Sequence, residues 1–107
     1  FSSAYGTLGQ VYLKQKKYEK AIVNFSKSIL INDNKAYTYN LRGICLDKLG
    51  YYKKAALDYK KAKSLNPSYY GYSINLLRSY LIYQYWYYTL IFIMAISTSI
   101  YFYKKRN

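Results

Sequence analysis

The 107-residue chain contains no histidine, one cysteine, one proline and four acidic residues. Without histidine, it lacks the commonest general base and the commonest zinc ligand. Its carboxylates are scattered, and it has neither a glycine-rich phosphate loop nor a metal-ligand spacing. The lone cysteine, Cys45, excludes an intrachain disulfide and fits a reducing compartment. We therefore expect no catalytic residue, no cofactor and no metal site.

Basic residues outnumber acidic ones by seventeen to four, which gives a formal net charge of +13. Such a balance is typical of proteins that meet nucleic acid, acidic peptides or acidic lipid surfaces. The eighteen tyrosines fit another interpretation, a general compositional bias with a solvated lysine-rich face, which we favour. The length allows one small domain, and the scarcity of proline permits long helices.

Apolar residues at helical spacing predict four helices, near residues 2–15, 18–31, 36–49 and 52–65. Gly50 is a typical helix stop, and Asn66-Pro67 breaks the chain. Related residues recur 34 positions apart, which is the signature of a helical repeat array. The residues that we expect to pack within the two copies are Tyr5, Leu8, Gly9, Tyr12, Ala21, Phe25, Tyr39, Gly43, Leu46, Ala55, Tyr59, Ala62 and Pro67.

These recurring residues resemble two consecutive tetratricopeptide repeats (TPRs), at residues 2–35 and 36–69. Two positions depart from the family pattern, because Arg42 replaces the usual leucine and Asp33 replaces the usual proline. The resemblance implies an all-α fold in which each repeat is a helix–turn–helix and the stacked repeats form a right-handed superhelix. It also implies that the concave face binds extended or helical peptides.

The resemblance implies that the first helix of each repeat lines this concave groove. Helical spacing then selects the residues that face it, with ordinary exposed helix as the alternative for each of them. The selected residues are Gln10, Leu13, Lys14, Tyr37, Asn40, Ile44, Asp47, Lys48 and Asn75. Most other lysines fall on turns or second helices, so a basic nucleic-acid groove is not expected.

Some TPR proteins hold acidic chaperone tails with a carboxylate clamp of Lys, Asn, Asn, Lys and Arg. The corresponding positions here carry Gly6, Gln10, Leu41, Gly71 and Asn75. We therefore expect chaperone tails not to be ligands of this groove. Leu41 and Ile44 would suit a more apolar ligand.

The repeat pattern decays after Pro67, and we expect a capping or third-repeat helix at residues 70–83. No charged residue occurs from Ser79 to Tyr103, a run longer than the ~20 residues that cross a bilayer core. Trp86 and Tyr103 are ~26 Å apart along a helix, close to the spacing of two interfacial aromatic belts. The sequence therefore predicts a transmembrane helix at residues 84–103 and a basic tail at 104–107.

Other interpretations of this tail remain open: an over-hydrophobic third repeat, a helix covered by a partner, or a non-native segment. Orientation is open as well, because both flanks of the run are basic. A tail-anchored protein with cytosolic repeats is the simplest arrangement. Lys104-Lys105-Arg106-Asn107 also resembles a dilysine retrieval signal, which would place the repeats in the lumen.

Two functional hypotheses follow. The first is a non-enzymatic TPR adaptor that binds a protein or peptide in its groove and is anchored by its C-terminal helix. The second is a soluble fragment of a larger TPR array, fused to a catalytic domain or binding nucleic acid, with a degenerate third repeat as its tail. The chain begins with Phe1, which fits a processed product or a fragment with repeats upstream.

Overall fold

The computed structural model describes residues 1–106, apart from the side chain of Tyr70, and within them it shows five helices and no strand. These are α1 (Ser2–Lys14), α2 (Tyr18–Ile31), α3 (Ala36–Lys48), α4 (Tyr52–Leu65) and α5 (Tyr70–Arg106). The all-α array with a long C-terminal helix is therefore confirmed. Asn107, the last residue of the predicted basic tail, lies outside the described residues.

The two hairpin turns end their first helices in the same way. Lys16 and Gly50, which are equivalent positions of the two repeats, have φ angles of 60° and 86°. The following amides of Lys17 and Tyr51 donate to the carbonyls of Tyr12 and Leu46, each at 2.9 Å. This is the Schellman arrangement, in which a left-handed residue ends the helix and the last carbonyls regain partners. The turns therefore fold each hairpin back on itself.

A glycine and an aromatic ring bring the two helices of each hairpin together. A Cβ atom on Gly9 would lie 2.6 Å from the Phe25 ring, and one on Gly43 would lie 2.7 Å from the Tyr59 ring. Both rings are fully buried. The contact with each glycine is made by the aromatic ring that lies one helical turn after Ala21 or Ala55.

Two small clusters form the core. One joins Ala21, Phe25, Leu41 and Cys45, and the other joins Ala36, Tyr39, Ala62 and Tyr72. The first cluster joins the two hairpins, and Ile29 of the first hairpin packs against the second cluster, so the stacking of the repeats buries surface that a single hairpin would expose. The second cluster includes Tyr72 of α5, which attaches that helix to the array.

Leu8 and Pro67 do not pack as expected. Leu8 is 42% exposed, because its face of α1 has no preceding hairpin within residues 1–106. The equivalent residue of the second repeat, Arg42, does meet the preceding hairpin at Ser26. Pro67 is exposed and follows the end of α4, so its role is to interrupt the helix.

Polar contacts show that α1 and α3 begin at the same end of the molecule. Lys35, just before α3, donates from Nζ to the Ser3 hydroxyl at 3.2 Å. At this end Ser2 and Ser28 also exchange hydrogen bonds with each other's backbone carbonyls, at 3.0 and 2.8 Å. Because α1 and α3 start together, they also finish together at the opposite end.

The last helix runs parallel to α3. Asn75 Nδ2 donates to Asn40 Oδ1 at 2.9 Å, and further along Ser79 Oγ donates to Asp47 Oδ1 at 2.7 Å. Tyr83 then borders the turn between α3 and α4. From this point α5 leaves the repeats at the end where α1 and α3 finish.

The predicted capping helix and the predicted transmembrane helix form one continuous helix of 37 residues, about 55 Å long. We call residues 70–83 the proximal segment and residues 84–106 the distal segment. In the proximal segment, Tyr72 and Ser79 are buried against the repeats. In the distal segment, every large hydrophobic side chain is at least 43% exposed.

Candidate peptide-binding groove

The concave face is formed by α1, α3 and the proximal segment, which run side by side in the same direction. Of the residues selected from the sequence as facing it, Lys14, Tyr37 and Lys48 are exposed, and Tyr37 keeps 55% of its surface. The half-buried ones are Gln10, Leu13, Ile44 and Asn75. The selected residues therefore comprise an exposed aromatic ring, two exposed ammonium groups and two half-buried apolar side chains.

Several of the selected residues make contacts within the fold. Asn40 is buried and accepts the hydrogen bond from Asn75, so these two amides join α3 to α5. Leu13 and Ile44 pack against the first core cluster. These side chains therefore shape the groove more than they offer polar atoms to a ligand.

Asp47 belongs to a buried polar cluster, which the sequence analysis missed. Its carboxylate accepts hydrogen bonds from the Tyr59 phenol at 2.7 Å and from Ser79 at 2.7 Å, and it pairs with Arg78 at 2.9 Å. Only 7% of its side chain is exposed. Burial, and then the bond to Asp47, raises the pKa of Tyr59. Asp47 therefore fastens the proximal segment to α3 and α4.

Lys14 and Lys48 are equivalent residues of the two repeats, and each lies in the last turn of its helix. Both side chains are exposed, and because α1 and α3 finish together they lie at the same end of the repeat body. Neither has an acidic partner within hydrogen-bonding distance among residues 1–106. This end of the repeat body therefore carries two exposed positive charges.

Arg42, which departs from the family pattern, has a structural partner on the convex side. Its guanidinium donates two hydrogen bonds to Asp58, at 2.7 and 2.8 Å, and a third to Ser26 at 3.2 Å. The bond to Asp58 raises the pKa of Arg42. A paired arginine thus links both hairpins where the family usually has leucine. The sequence held a signal for this pair, since an unexpected basic residue in a core position requires an acidic neighbour.

Cys45 is fully buried, and burial raises the pKa of its thiol to about 11. A thiol in this environment is protonated and packs as a small apolar group. Among residues 1–106, no three His, Cys, Asp or Glu side chains lie close enough together to hold a metal ion.

The distal segment is the other exposed feature of the molecule. Residues 71–106 include a helical window long and apolar enough to cross a membrane, and none of that window is buried in the structure. Length and composition alone support this interpretation.

Known proteins resemble this chain over its repeats. A curated relative, Hsp70-Hsp90 organizing protein 3 of Arabidopsis thaliana, is 35% identical over 61 residues, or 57% of this chain. That match spans 11% of the relative, so the chain corresponds to a small part of it.

Two solved structures share the fold. The second TPR of Spaghetti (RPAP3), bound to the HSP90 peptide SRMEEVD, has a TM-score of 0.75 and 22% identity, covering 78% of this chain and 77% of that one. The Arabidopsis OM64 TPR domain has a TM-score of 0.71 and 24% identity, covering 73% of this chain and 64% of that one.

The expectation that chaperone tails are not ligands is not upheld by these similarities, which leave such tails open as ligands. That expectation rests on five positions only, which carry Gly6, Gln10, Leu41, Gly71 and Asn75. A TPR domain of the same fold is described as bound to an HSP90 peptide, and the curated relative is named for both chaperones. Two exposed lysines that the sequence selects for the groove, Lys14 and Lys48, lie outside those five positions.

The family assignment is confirmed by direct matches. Two family profiles, each described as Tetratricopeptide repeat, match residues 2–35 and 36–69. Together they cover more than half of the chain, and the structure over the same residues is two stacked helical hairpins. This chain therefore belongs to the tetratricopeptide repeat family.

Proposed function

We propose that this chain is a non-enzymatic adaptor that binds a protein segment in its concave groove and is anchored in a membrane by the distal segment. The observation that carries the first part is the groove itself, which exposes Tyr37, Lys14 and Lys48 on a rigid helical surface. A preformed surface of this kind loses little conformational entropy on binding.

The chemistry of the groove favours a ligand with both acidic and apolar groups. The two lysines attract carboxylates, and Tyr37 exposes its ring about two helical turns before the half-buried Ile44 on α3. Acidic C-terminal peptides such as SRMEEVD, which a similar TPR domain binds, combine these properties and are the first ligands to test.

The groove is tested with fluorescently labelled SRMEEVD peptide and the full chain in neutral-lipid nanodiscs. Charge-assisted hydrogen bonds contribute ~1.5–3 kcal/mol each, so Lys14→Gln with Lys48→Gln should weaken binding at least about tenfold. Tyr37→Ala should also weaken it. The matched controls are Lys27→Gln with Lys61→Gln and Tyr51→Ala, which alter exposed side chains outside the groove.

Anisotropy of the labelled peptide measures the affinity. Equal losses in the groove variants and in the controls would contradict the assigned face. If the unaltered chain leaves the peptide free, acidic tails of this type are not its ligands.

Anchoring is tested by alkaline carbonate extraction of membranes that contain the full chain. The exposed apolar surface of the distal segment requires lipid or a partner, because two small hairpins cannot cover it. We expect the chain to stay in the membrane pellet. Release into the soluble fraction would contradict the anchor.

A second candidate is a soluble part of a larger TPR array. One observation favours it: α4 and α5 border a cleft of about 430 Å³ where the second helix of a third repeat would pack. The cleft is lined by Lys60, Lys63, Ser73, Leu76, Leu77 and Tyr80. Under this alternative, the chain is part of a soluble array and is not anchored in a membrane. Alkaline carbonate extraction would then release it into the soluble fraction.

A further inference from the structure

We infer that one end of the repeat body, which we call the exit end, is a docking surface for anionic lipid headgroups. The exit end comprises the two hairpin turns and the first turns of the helices that follow them, residues 15–20 and 49–54. This inference rests on the proposed membrane anchor. It adds which surface of the repeats faces the bilayer and which lipid chemistry that surface takes.

The directions of the helices determine the end at which α5 leaves the repeat body. The α1 and α3 helices begin together near Ser3 and Lys35 and finish together at the exit end. The proximal segment runs parallel to α3, because Asn75 meets Asn40 and Ser79 meets Asp47. The α5 helix therefore leaves the repeat body at the exit end, and the second hairpin turn lies beside its point of departure, next to Tyr83.

The turns at the exit end are more basic than the equivalent stretches at the opposite end. The exit end contains five lysines and one acidic residue, Glu19; the lysines are Lys16, Lys17, Lys20, Lys53 and Lys54, all exposed. The equivalent residues at the opposite end, 32–39 and 66–73, contain one lysine and one aspartate. The turns and first helical turns at the end from which the apolar helix leaves thus carry more lysines than the equivalent stretches at the opposite end. The sequence predicts these lysines on turns or second helices, and only the structure shows that they share one end.

Along α5, the second hairpin turn lies close to the predicted membrane interface. Tyr83 borders the cleft that contains Lys53 and Lys54. Trp86, in the first aromatic belt, follows three residues later, which is ~4.5 Å of helix. The Debye length at physiological salt is ~8 Å, so these ammonium groups lie within reach of headgroup charges when Trp86 is at the interface. A basic surface beside a membrane helix attracts acidic lipids such as phosphatidylserine, which are concentrated in cytoplasmic leaflets.

The experiment uses the full chain with Tyr51→Cys, labelled at that exposed turn residue with an environment-sensitive fluorophore. Cys45 stays unlabelled because it is fully buried. The chain is reconstituted in vesicles of phosphatidylcholine alone or of phosphatidylcholine with phosphatidylserine. Each contains a trace of lipid with a spin label on its headgroup. Quenching of the fluorophore reports contact between the turn and the headgroups.

We expect strong quenching with phosphatidylserine and weak quenching without it. The test variant replaces Lys16, Lys17, Lys53 and Lys54 with glutamine. The control variant makes the same charge change at Lys27, Lys60, Lys61 and Lys63, which are exposed and lie toward the opposite end of their helices. The test variant should lower the ratio of docked to undocked molecules at least about tenfold, and the control should keep it.

Quenching that is equal in the two lipid compositions, or that falls equally in both variants, would overturn the docking surface while leaving the anchor intact. If the same four test substitutions abolish RNA binding and leave vesicle quenching unchanged, the surface binds nucleic acid and the inference is wrong. Carbonate extraction of both variants runs in parallel, and release of both would show that the proposed anchor itself has failed.

Discussion

The proximal and distal segments belong to one helix, yet they meet their surroundings in opposite ways. The proximal segment buries Tyr72 and Ser79 against the repeats and joins α3 through Asn75. The distal segment has no contact with the repeats that buries a large side chain among residues 84–106. Both segments are rich in apolar residues, so composition alone does not separate them.

What separates the two segments is the position of their polar groups. In the proximal segment, Ser79 and Arg78 match the carboxylate of Asp47. In the distal segment, Thr89, Thr98 and Ser99 donate to carbonyls of their own helix four residues back. A helix that satisfies its hydroxyls internally needs no polar neighbour, which suits it to a lipid environment.

The largest expected effect comes from placing charge in the distal segment. Phe92→Lys with Ile96→Lys puts two ammonium groups near its centre, where each costs ~2.5–3.5 kcal/mol in a membrane. The chain should then move into the soluble fraction on carbonate extraction. The thermal unfolding of the repeats should not change, because neither residue contacts them.

The control for this pair is Tyr85→Lys with Tyr88→Lys, where the lysines fall at the predicted interface and can extend to the headgroups. This control should remain in the membrane. Equal behaviour of the central and interfacial pairs would mean that the distal segment does not span a bilayer.

The next largest effect is expected inside the repeat body. Gly43→Leu forces a side chain into the Tyr59 ring, where even a Cβ atom would lie at 2.7 Å. Overpacking of this kind should lower the free energy of unfolding by about 3 kcal/mol, measured by urea denaturation in detergent micelles. Gly6→Ala is the control, because its Cβ would meet the Ser28 hydroxyl at an ordinary 3.5 Å. It should be neutral or slightly stabilising.

Much of this fold could be predicted from the sequence, because a 34-residue period fixes which helices pair. It placed Gly9, Gly43 and the buried rings of Phe25 and Tyr59 in the core, since only small residues permit such close approach. The period could not show that Asp47 points toward α5. That contact depends on Arg78 and Ser79, which lie in a segment where the repeat pattern has decayed.

The groove was less predictable than the core for a related reason. Helical spacing selects a face, but it cannot tell which side chains on that face are already hydrogen-bonded. Asn40 and Asn75 face each other across α3 and α5 and satisfy each other there. Lys14 and Lys48 are exposed because no acidic side chain lies near enough to pair with them in residues 1–106.

A smaller effect should distinguish the two segments directly. Asp47→Asn removes the charge that pairs with Arg78 and leaves the donors of Tyr59 and Ser79 poorly matched. A buried donor without its partner costs ~1–3 kcal/mol, so we expect faster amide hydrogen exchange in the proximal segment. Exchange in the distal segment should stay the same. Arg78→Gln, at a half-exposed residue, should have a weaker effect of ~1 kcal/mol or less.

The smallest effect concerns alkaline pH. Burial raises the pKa of Cys45 from 9.0 to about 11, and the pKa of Tyr59 shifts in the same direction. A group whose folded pKa is raised stabilises the fold fully below its unfolded pKa and loses that contribution as the pH rises through the folded value. The urea midpoint should therefore be flat up to about pH 9 and fall toward pH 11. Cys45→Ala should make that fall shallower. An unchanged curve would mean that ionisation of the Cys45 thiol does not contribute to the loss of stability at high pH.

The difference between the two segments is tested most directly by Trp86, the only tryptophan of the chain. Its fluorescence can be measured in vesicles containing lipids with spin labels at defined depths. We predict the strongest quenching by labels near the headgroups, weaker quenching by labels at the bilayer centre, and little quenching by aqueous iodide. Free access of iodide to Trp86, with no quenching by lipid labels at any depth, would contradict the membrane span.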